Sequence, residues 1–441
     1  MEQKLELGSC YYRPSFFNMK IDLPIDLQNL NEIPEGAMGL YFHEYIHYIQ
    51  DISTIYGLMN ISTITFYIQS CAHFLSKNKD SKNFKAPLVI EDIVGNGIET
   101  NYGLINFSLR PIYLGSPINP KSKIIKDFNY NIIDFKLDNG TIIQKVKIFF
   151  KDDKDNTREL EFGGNHVTEG MAYLCEQQNF AEILPLADEY PYYVIEKIVE
   201  IIYPEIIAEK ILLIALCDIS LMTYHPGLSF VRLVEFIKKE QFINKTTEID
   251  EVYDIGLKFL KGSHVDFQEL VDIVKSEIIK NFNADYYEDI KTWVNCIFDS
   301  VKILRRDIPS FVVDLVRFGK PKENQFFRLT HRVLGSPLVL NELGNGTLSL
   351  PLNFVPKGNN FNPGIFLAIS QILRIFYKDE PVSCELIEYC EASHEHDSNI
   401  IIDKNCRHSP WLKSLDNHLC PVGQIWHHWA LKEYSPKYSG F

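Results

Sequence analysis

The stretch Leu40-Tyr41-Phe42-His43-Glu44-Tyr45-Ile46-His47-Tyr48-Ile49-Gln50 decides how this chain is read. Phe42, Tyr45, Ile46, Ile49 and Ile52 recur at intervals of three and four residues. That spacing lays an apolar stripe along a helix from about Glu35 to Tyr56. Into the stripe are set His43, Glu44 and His47, the pattern His-Glu-x-x-His. Residues four apart share a helix face, so both imidazoles can reach one ion, with Glu44 still beside it. Two neutral imidazoles with an adjacent acid suit a zinc ion whose bound water must lose a proton. The flanking Phe42, Tyr45, Ile46 and Tyr48 are uncharged. In such an apolar surround a bare imidazole pair and a carboxylate are costly without a metal.

A third ligand must come from elsewhere. The segment Asn165-His166-Val167-Thr168-Glu169-Gly170-Met171-Ala172 follows an expected strand and opens an expected helix. With the His-Glu-x-x-His helix, it resembles the gluzincin zinc metallopeptidases, many of which read Glu-Gly-apolar-Ala on a later helix. The resemblance covers about twenty residues and implies that Glu169 is the third ligand beside His43 and His47, with Glu44 the general base. His166 lies three residues earlier on the same helix face and is the competing ligand. Glu169 is favoured because it carries the Gly-Met-Ala sequel and lies deeper in the helix, which leaves His166 near the site mouth. Gly170 and Ala172 lack bulk, which would let the two ligand helices approach closely.

The chain departs from compact gluzincins in placing 121 residues between His47 and Glu169. The intervening β-rich segment is therefore an insertion or a relocated part of the active-site sheet. Tyr173 stands where an Asp four residues after the ligand would orient a histidine, so that carboxylate must come from elsewhere, with Glu176 and Asp218 the candidates. For an oxyanion donor the candidates are Tyr224 and His225, with Tyr190, Tyr192, Tyr193 and Tyr203 competing.

Working outward, extended runs are expected at Lys4–Tyr12 and Met19–Leu23, and a second helix over Ser62–Leu75. Strands are expected over Asn101–Leu114, over 134–152 as a hairpin around Asp138-Asn139-Gly140, and over Thr157–Phe162. A helix capped by Asn165 runs toward Pro185, and another from Pro191 is broken near Pro204 and ends at His225-Pro226-Gly227. The polar stretch Lys238–Asp254 reads as a domain junction. Beyond it the chain is mainly helical, with a β-like interruption at Leu338–Phe354.

With 441 residues the chain can bury a large core. Its net charge of −14 repels phosphate backbones, which argues against nucleic acid as the principal partner. The longest apolar run, Ile211–Cys217, is too short to span a bilayer, and no leader pattern opens the sequence. Nine cysteines, an odd number, agree with reduced thiols and a cytoplasmic protein. Four of them (Cys384, Cys390, Cys406, Cys420) lie near the C-terminus with six histidines (His394, His396, His408, His418, His427, His428). No Cys-x-x-Cys pair occurs there, and ligand chemistry without ligand spacing argues against a second, structural zinc. His73, His264 and His331 are isolated and read as ordinary core or surface residues.

The expectation is therefore an α+β protein: a zincin-like metallopeptidase domain with a small β-sheet over 1–235, then a mainly helical C-terminal domain over 236–441. That large helical domain would gate the cleft or bind a regulatory protein partner. The expected reaction is zinc-dependent hydrolysis of a protein or peptide substrate. The rival readings are a metal-binding regulatory scaffold with a structural or lapsed site, and a non-peptide zinc amidase. The intact Glu44 speaks against the scaffold, since a structural site needs no acid there.

Overall fold

The structure, a computed structural model, describes residues 10–23, 29–77, 82–94, 102–119, 121–123, 126–137, 140–241, 247–260, 266–358, 361–394, 400–416 and 419–438. Strands β1 (Tyr11–Arg13) and β2 (Asn18–Lys20) form an antiparallel pair ahead of helix α1 (Glu35–Ser53). From Tyr41 to Ser53 every residue of α1 is buried, so the helix that carries His43, Glu44 and His47 runs inside the protein. Thr54 turns the chain directly into α2 (Ile55–Lys77). Its hydroxyl donates to the Gln50 carbonyl at 2.6 Å and accepts the Gly57 N–H at 3.0 Å, closing one helix and opening the next.

After β3 (Asn83–Ala86) the chain forms α3 (Tyr102–Leu114), where alternation suggested a strand. Packing on α2 explains the difference. Phe107 and Arg110, three apart, reach the same neighbour: Phe107 stacks on Tyr67 with centroids 5.2 Å apart, and Arg110 Nε donates to Asn60 Oδ1 at 3.1 Å. The expected hairpin is present as β4 (Lys126–Lys136) and β5 (Ile142–Lys151), extended by β6 (Thr157–Phe162) into a three-stranded antiparallel sheet. Asp138 and Asn139 of its turn lie outside the described residues, as do residues 4–9 of the first expected run.

Strand β6 runs straight into α4 (Gly164–Phe180), which starts one residue before the expected cap Asn165. The broken helix from Pro191 resolves into α5 (Val194–Ile202), a short 3₁₀ turn at Pro204–Ile206 and α6 (Lys210–Leu221). Pro226 then begins α7 (Pro226–Glu240). Farther on come α8 (Glu288–Asp307), α9 (Gln325–Leu334), β7 (Leu338–Leu340), β8 (Gly346–Thr347), α10 (Gly364–Tyr377) and β9 (Ser435–Tyr438), with shorter helices between. The protein is thus α+β. No helix among the described residues is long and apolar enough to cross a membrane.

Contacts cross position 235 repeatedly. Strand β2 pairs in parallel with β7, giving a four-stranded sheet β1-β2-β7-β8, and β3 pairs in parallel with β9. On α1, the Tyr45 hydroxyl donates to the Gly335 carbonyl at 3.1 Å, and the Tyr41 hydroxyl meets His331 Nε2 at 2.8 Å. The Arg305 guanidinium of α8 grips both oxygens of Asp218 at 2.7 Å and donates to the Ser53 carbonyl at the end of α1. Neither partner of that pair is more than 6% exposed. Asp218, a candidate to orient a ligand histidine, is committed to Arg305 and to the Tyr253 hydroxyl instead.

Removing one member of a buried ion pair strands the other. Arg305→Met should lower stability by about 3–5 kcal/mol in denaturant titration, with part regained in a double variant that also carries Asp218→Leu. A loss below about 1 kcal/mol would contradict this arrangement. Burial holds His331 at about 4, below the unfolded value of 6.5. The unfolded chain therefore takes up this proton first. The associated stability is complete above pH 6.5 and is lost as pH falls toward 4, by about 1.4 kcal/mol per pH unit. His331→Phe should remove one proton's worth of that slope; an unchanged slope would show that the imidazole is not buried as neutral.

Candidate metal centre

Helices α1 and α4 pack side by side and bring His43, His47 and Glu169 together. Their ligand atoms all lie within 4.8 Å of one another, and among the described residues no other trio of His, Cys, Asp or Glu does so. Glu169 Oε2 stands 3.7 Å from His43 Nε2 and 3.5 Å from His47 Nε2. Four donors about 2.1 Å from a tetrahedral zinc ion are separated by about 3.4 Å, so this spacing fits that ion. Each of the three is 8–9% exposed.

The outer nitrogens are fixed as well. His43 Nδ1 meets Glu176 Oε2 at 3.0 Å, so its N–H points to a carboxylate and Nε2 is turned toward Glu169. His47 Nδ1 donates to Gln50 Oε1 at 2.9 Å, and the Gln50 amide donates on to the Thr168 carbonyl at 3.1 Å. Such partners set the tautomer and the ring orientation that metal binding needs. Glu176 was one of two carboxylates expected for this work. Gln50 went unread, although its place three residues after His47 on one helix face was available as a signal.

The local field favours a cation. Burial opposes charge on His43, but Glu169, Glu176 and Glu44 outweigh it and raise the imidazole to about 10. Burial also opposes charge on Glu169, yet His47 and His43 hold it well below the usual carboxylate range. The pocket thus stabilises positive charge between carboxylates, which is what a divalent ion requires. Glu44 is only 9% exposed, and its Oε2 accepts the Tyr12 backbone N–H from β1 at 2.5 Å. Burial raises its pKa, the two imidazoles lower it, Glu169 raises it, and the net shift is upward.

His43, Glu44 and Glu176 open on a cleft of about 460 Å³ walled by Leu40, Leu184, Leu186 and Tyr192. Tyr192 is the tyrosine that reaches the site. Its ring lies edge-on 6.1 Å from that of His43, and burial and then the charges of Glu169, Glu44 and Glu176 raise its hydroxyl. Lys121 Nζ sits 4.9 Å above the Tyr192 ring.

Several expectations are corrected. His166 is not at the mouth but fully buried. Its Nδ1 accepts the Gly163 N–H at 3.3 Å and its Nε2 meets the Tyr190 hydroxyl at 3.0 Å, so neither nitrogen is left for a metal. Burial lowers it to about 3 and keeps it neutral. His225 caps α7 and meets the Gln144 carbonyl at 2.9 Å, on β5, and neither it nor Tyr224 lines the cleft. Tyr190 is held by His166 and Pro117, and Tyr193 by the Tyr173 hydroxyl at 2.7 Å. Gly170 serves a different neighbour from the one expected: a Cβ there would strike Ile195 of α5, not α1. The β4-β5-β6 sheet packs on α5 and α7, while the strand that touches Glu44 is β1. The β-rich segment thus separates the two helices in sequence, and the strand that contacts Glu44 comes from elsewhere.

No protein family, no curated protein and no solved structure matches the chain. The donor set and its geometry stand alone as the guide to chemistry.

Glu169→Ala and His47→Ala should each remove the one zinc equivalent bound at this centre in competition titrations. Glu176→Ala should weaken binding about 10–100-fold through loss of the His43 partner, and His166→Ala should keep its zinc. Loss of this equivalent from His166→Ala, with full wild-type zinc content kept by Glu169→Ala, would refute this ligand assignment.

Proposed function

We propose that the protein is a zinc-dependent hydrolase that cleaves peptide bonds, with a gluzincin-type centre on α1 and α4. The convergence of His43, His47 and Glu169, across 121 intervening residues, on one point beside Glu44 carries this reading. When bound, zinc supplies a Lewis acid that lowers the pKa of water toward about 7 and polarises a carbonyl.

The chain's own groups do the rest. Glu44, shifted upward by burial, takes the proton from the attacking water and delivers it to the departing amine nitrogen. The Tyr12 N–H holds one oxygen of that carboxylate, which fixes its direction. Glu176 and Gln50 keep the two imidazoles turned inward. The Tyr192 hydroxyl, in the field of the three acids, remains protonated and can donate to the developing oxyanion. Leu40, Leu184 and Leu186 offer apolar surface to substrate side chains. The nine free cysteines suit a reducing compartment, and the cytoplasm is the location we assign with this function.

An intact base argues for turnover over a metal-holding scaffold. Glu44→Gln should keep zinc and fold while turnover of a quenched-fluorescent peptide library falls by about 10²–10⁴. Comparing protein cut sites in cells making wild type or Glu44→Gln gives the natural sequence preference. Tyr192→Phe should reduce kcat by about 10²–10³ with KM little changed. Equal activity of Glu44→Gln and wild type would exclude the mechanism; hydrolysis of small amides but of no peptide would make the enzyme an amidase.

A further inference from the structure

Cys384, Cys390, Cys406 and Cys420 are separated in sequence by 5, 15 and 13 residues, a spacing that matches no standard finger. The fold nevertheless gathers them. Cys384 lies just ahead of the helix Ile387–His394, which carries Cys390. Cys406 lies in the helix Lys404–His408, and Cys420 caps the helix Pro421–His428. The Cys384 N–H donates to the Cys406 carbonyl at 2.8 Å, joining the first and third segments. Every one of the six pairs among the four sulfurs is close enough to interact electrostatically.

Two of the sulfurs accept backbone N–H groups, and the Cys406 thiol donates to Asp403 Oδ1 at 3.8 Å. The Cys420 sulfur accepts the Gly423 N–H at 3.5 Å, and the Cys384 sulfur accepts the Leu386 N–H. Lys413, 2% exposed, lies in the field of Cys390 and Cys420 and also pairs with Asp403 and Asp416. Four thiolates around a divalent ion leave a net charge of about −2, and the Lys413 ammonium, shared with Asp403 and Asp416, is a cation close to it. Burial raises the thiols of Cys384, Cys390 and Cys420, so ordinary base chemistry does not ionise them, whereas a coordinated metal does.

A second observation comes from the packing. The helix Ile387–His394 has no buried residue. Eight residues are too few for a helix to be stable alone, and this one packs on the core through the half-buried Tyr389 and Cys390. Its named anchors are side-chain contacts: Glu388 to Lys20 at 2.8 Å, with Glu388 57% exposed, and the Tyr389 hydroxyl to Asn362 at 3.3 Å. A metal bound through Cys390 would add a further constraint to that partial packing.

We propose that Cys384, Cys390, Cys406 and Cys420 form a second, structural zinc site that fastens the C-terminal segment to the body of the protein. The ion is held by four thiolates, each of which gives up its proton to solvent on binding. The sulfurs stand wider than the ligand atoms of the first site, since only His43, His47 and Glu169 fall within the 4.8 Å limit. Zinc–sulfur bonds of about 2.3 Å require sulfurs about 3.8 Å apart, so binding draws the thiols inward by side-chain rotation.

Zinc per chain in protein purified without chelator tests this directly. Wild type should carry two equivalents, Glu169→Ala one, and the double variant Cys390→Ser/Cys420→Ser one, with a lower Tm. Because that double variant could fail to fold, cobalt(II) is also loaded into Glu169→Ala, whose thiols are intact. Thiolate-to-cobalt charge-transfer absorption is expected there. The proposal falls if cobalt binds without that absorption or does not bind, if wild type and the cysteine variant both hold a single zinc, or if mass analysis of non-reduced wild type shows these cysteines as disulfides. A wild type with a single equivalent that Glu169→Ala keeps and the cysteine variant loses would overturn the catalytic reading and leave this one standing.

Discussion

The constraint on which the rest of the structure depends is the burial of charge on α1. His43, Glu44 and His47 lie in a helix buried without a break from Tyr41 to Ser53, and Glu169 and Glu176 face them from α4. Five ionisable groups in so small a dry volume are affordable only when every one has a partner. The structure provides those partners from separate parts of the chain: a backbone N–H of β1 for Glu44, Gln50 for His47, Glu176 for His43, and both imidazoles for Glu169. Remove the metal-binding geometry and this arrangement has no evident structural purpose, since an apolar interior of the same shape would fold with less desolvation.

The need to wall off that volume explains the long-range topology. Strand β1 must lie along α1 to present the Tyr12 N–H, and Asp51 secures it by accepting the Tyr12 hydroxyl at 2.9 Å and the Ser15 N–H at 2.7 Å. Behind β1 stands β2, and behind β2 stands β7, more than three hundred residues later in the chain. On the other face, Tyr41, Tyr45 and Tyr48 reach His331, Gly335 and Leu334. One hydrophobic cluster consequently runs from Tyr12 to Tyr438. The ligand helix is held by residues from both sides of position 235, which ties the rigidity of the site to the C-terminal half.

What the sequence revealed follows from which interactions are local. The His-Glu-x-x-His spacing, the apolar stripe, the β4–β5 hairpin and the break near Pro204 each depend on residues a few positions apart, and all are present. Glu169 was legible through its Gly-Met-Ala sequel, although Gly170 proves to make room for Ile195. The Tyr12 N–H was illegible because a backbone donor carries no sequence mark, and its partner lies 32 residues away. Segment 102–114 misled because its alternation mimics a strand, while the tertiary face offered by α2 selects a helix. Asp218 and Glu176 looked alike as free acids in helical runs. Only the arrival of Arg305 from α8 separates the structural carboxylate from the one that orients His43.

The same logic sets the behaviour of Glu44. A base in water at an ordinary carboxylate pKa is too weak to take a proton efficiently near neutrality, and one raised too far would arrive already protonated. Burial pushes Glu44 up, and Glu169 adds to that, while His43, His47 and the Tyr12 N–H pull it back. The balance depends on positions as much as on residue types. Moving β1 away would remove the hydrogen bond and open the carboxylate to solvent together, with opposite effects on its basicity. The strand therefore acts on Glu44 from outside the His43–His47–Glu169 cluster, bearing on both the direction and the proton affinity of its carboxylate. In this protein a pairing across more than three hundred residues, β2 against β7, backs the strand whose N–H holds Glu44.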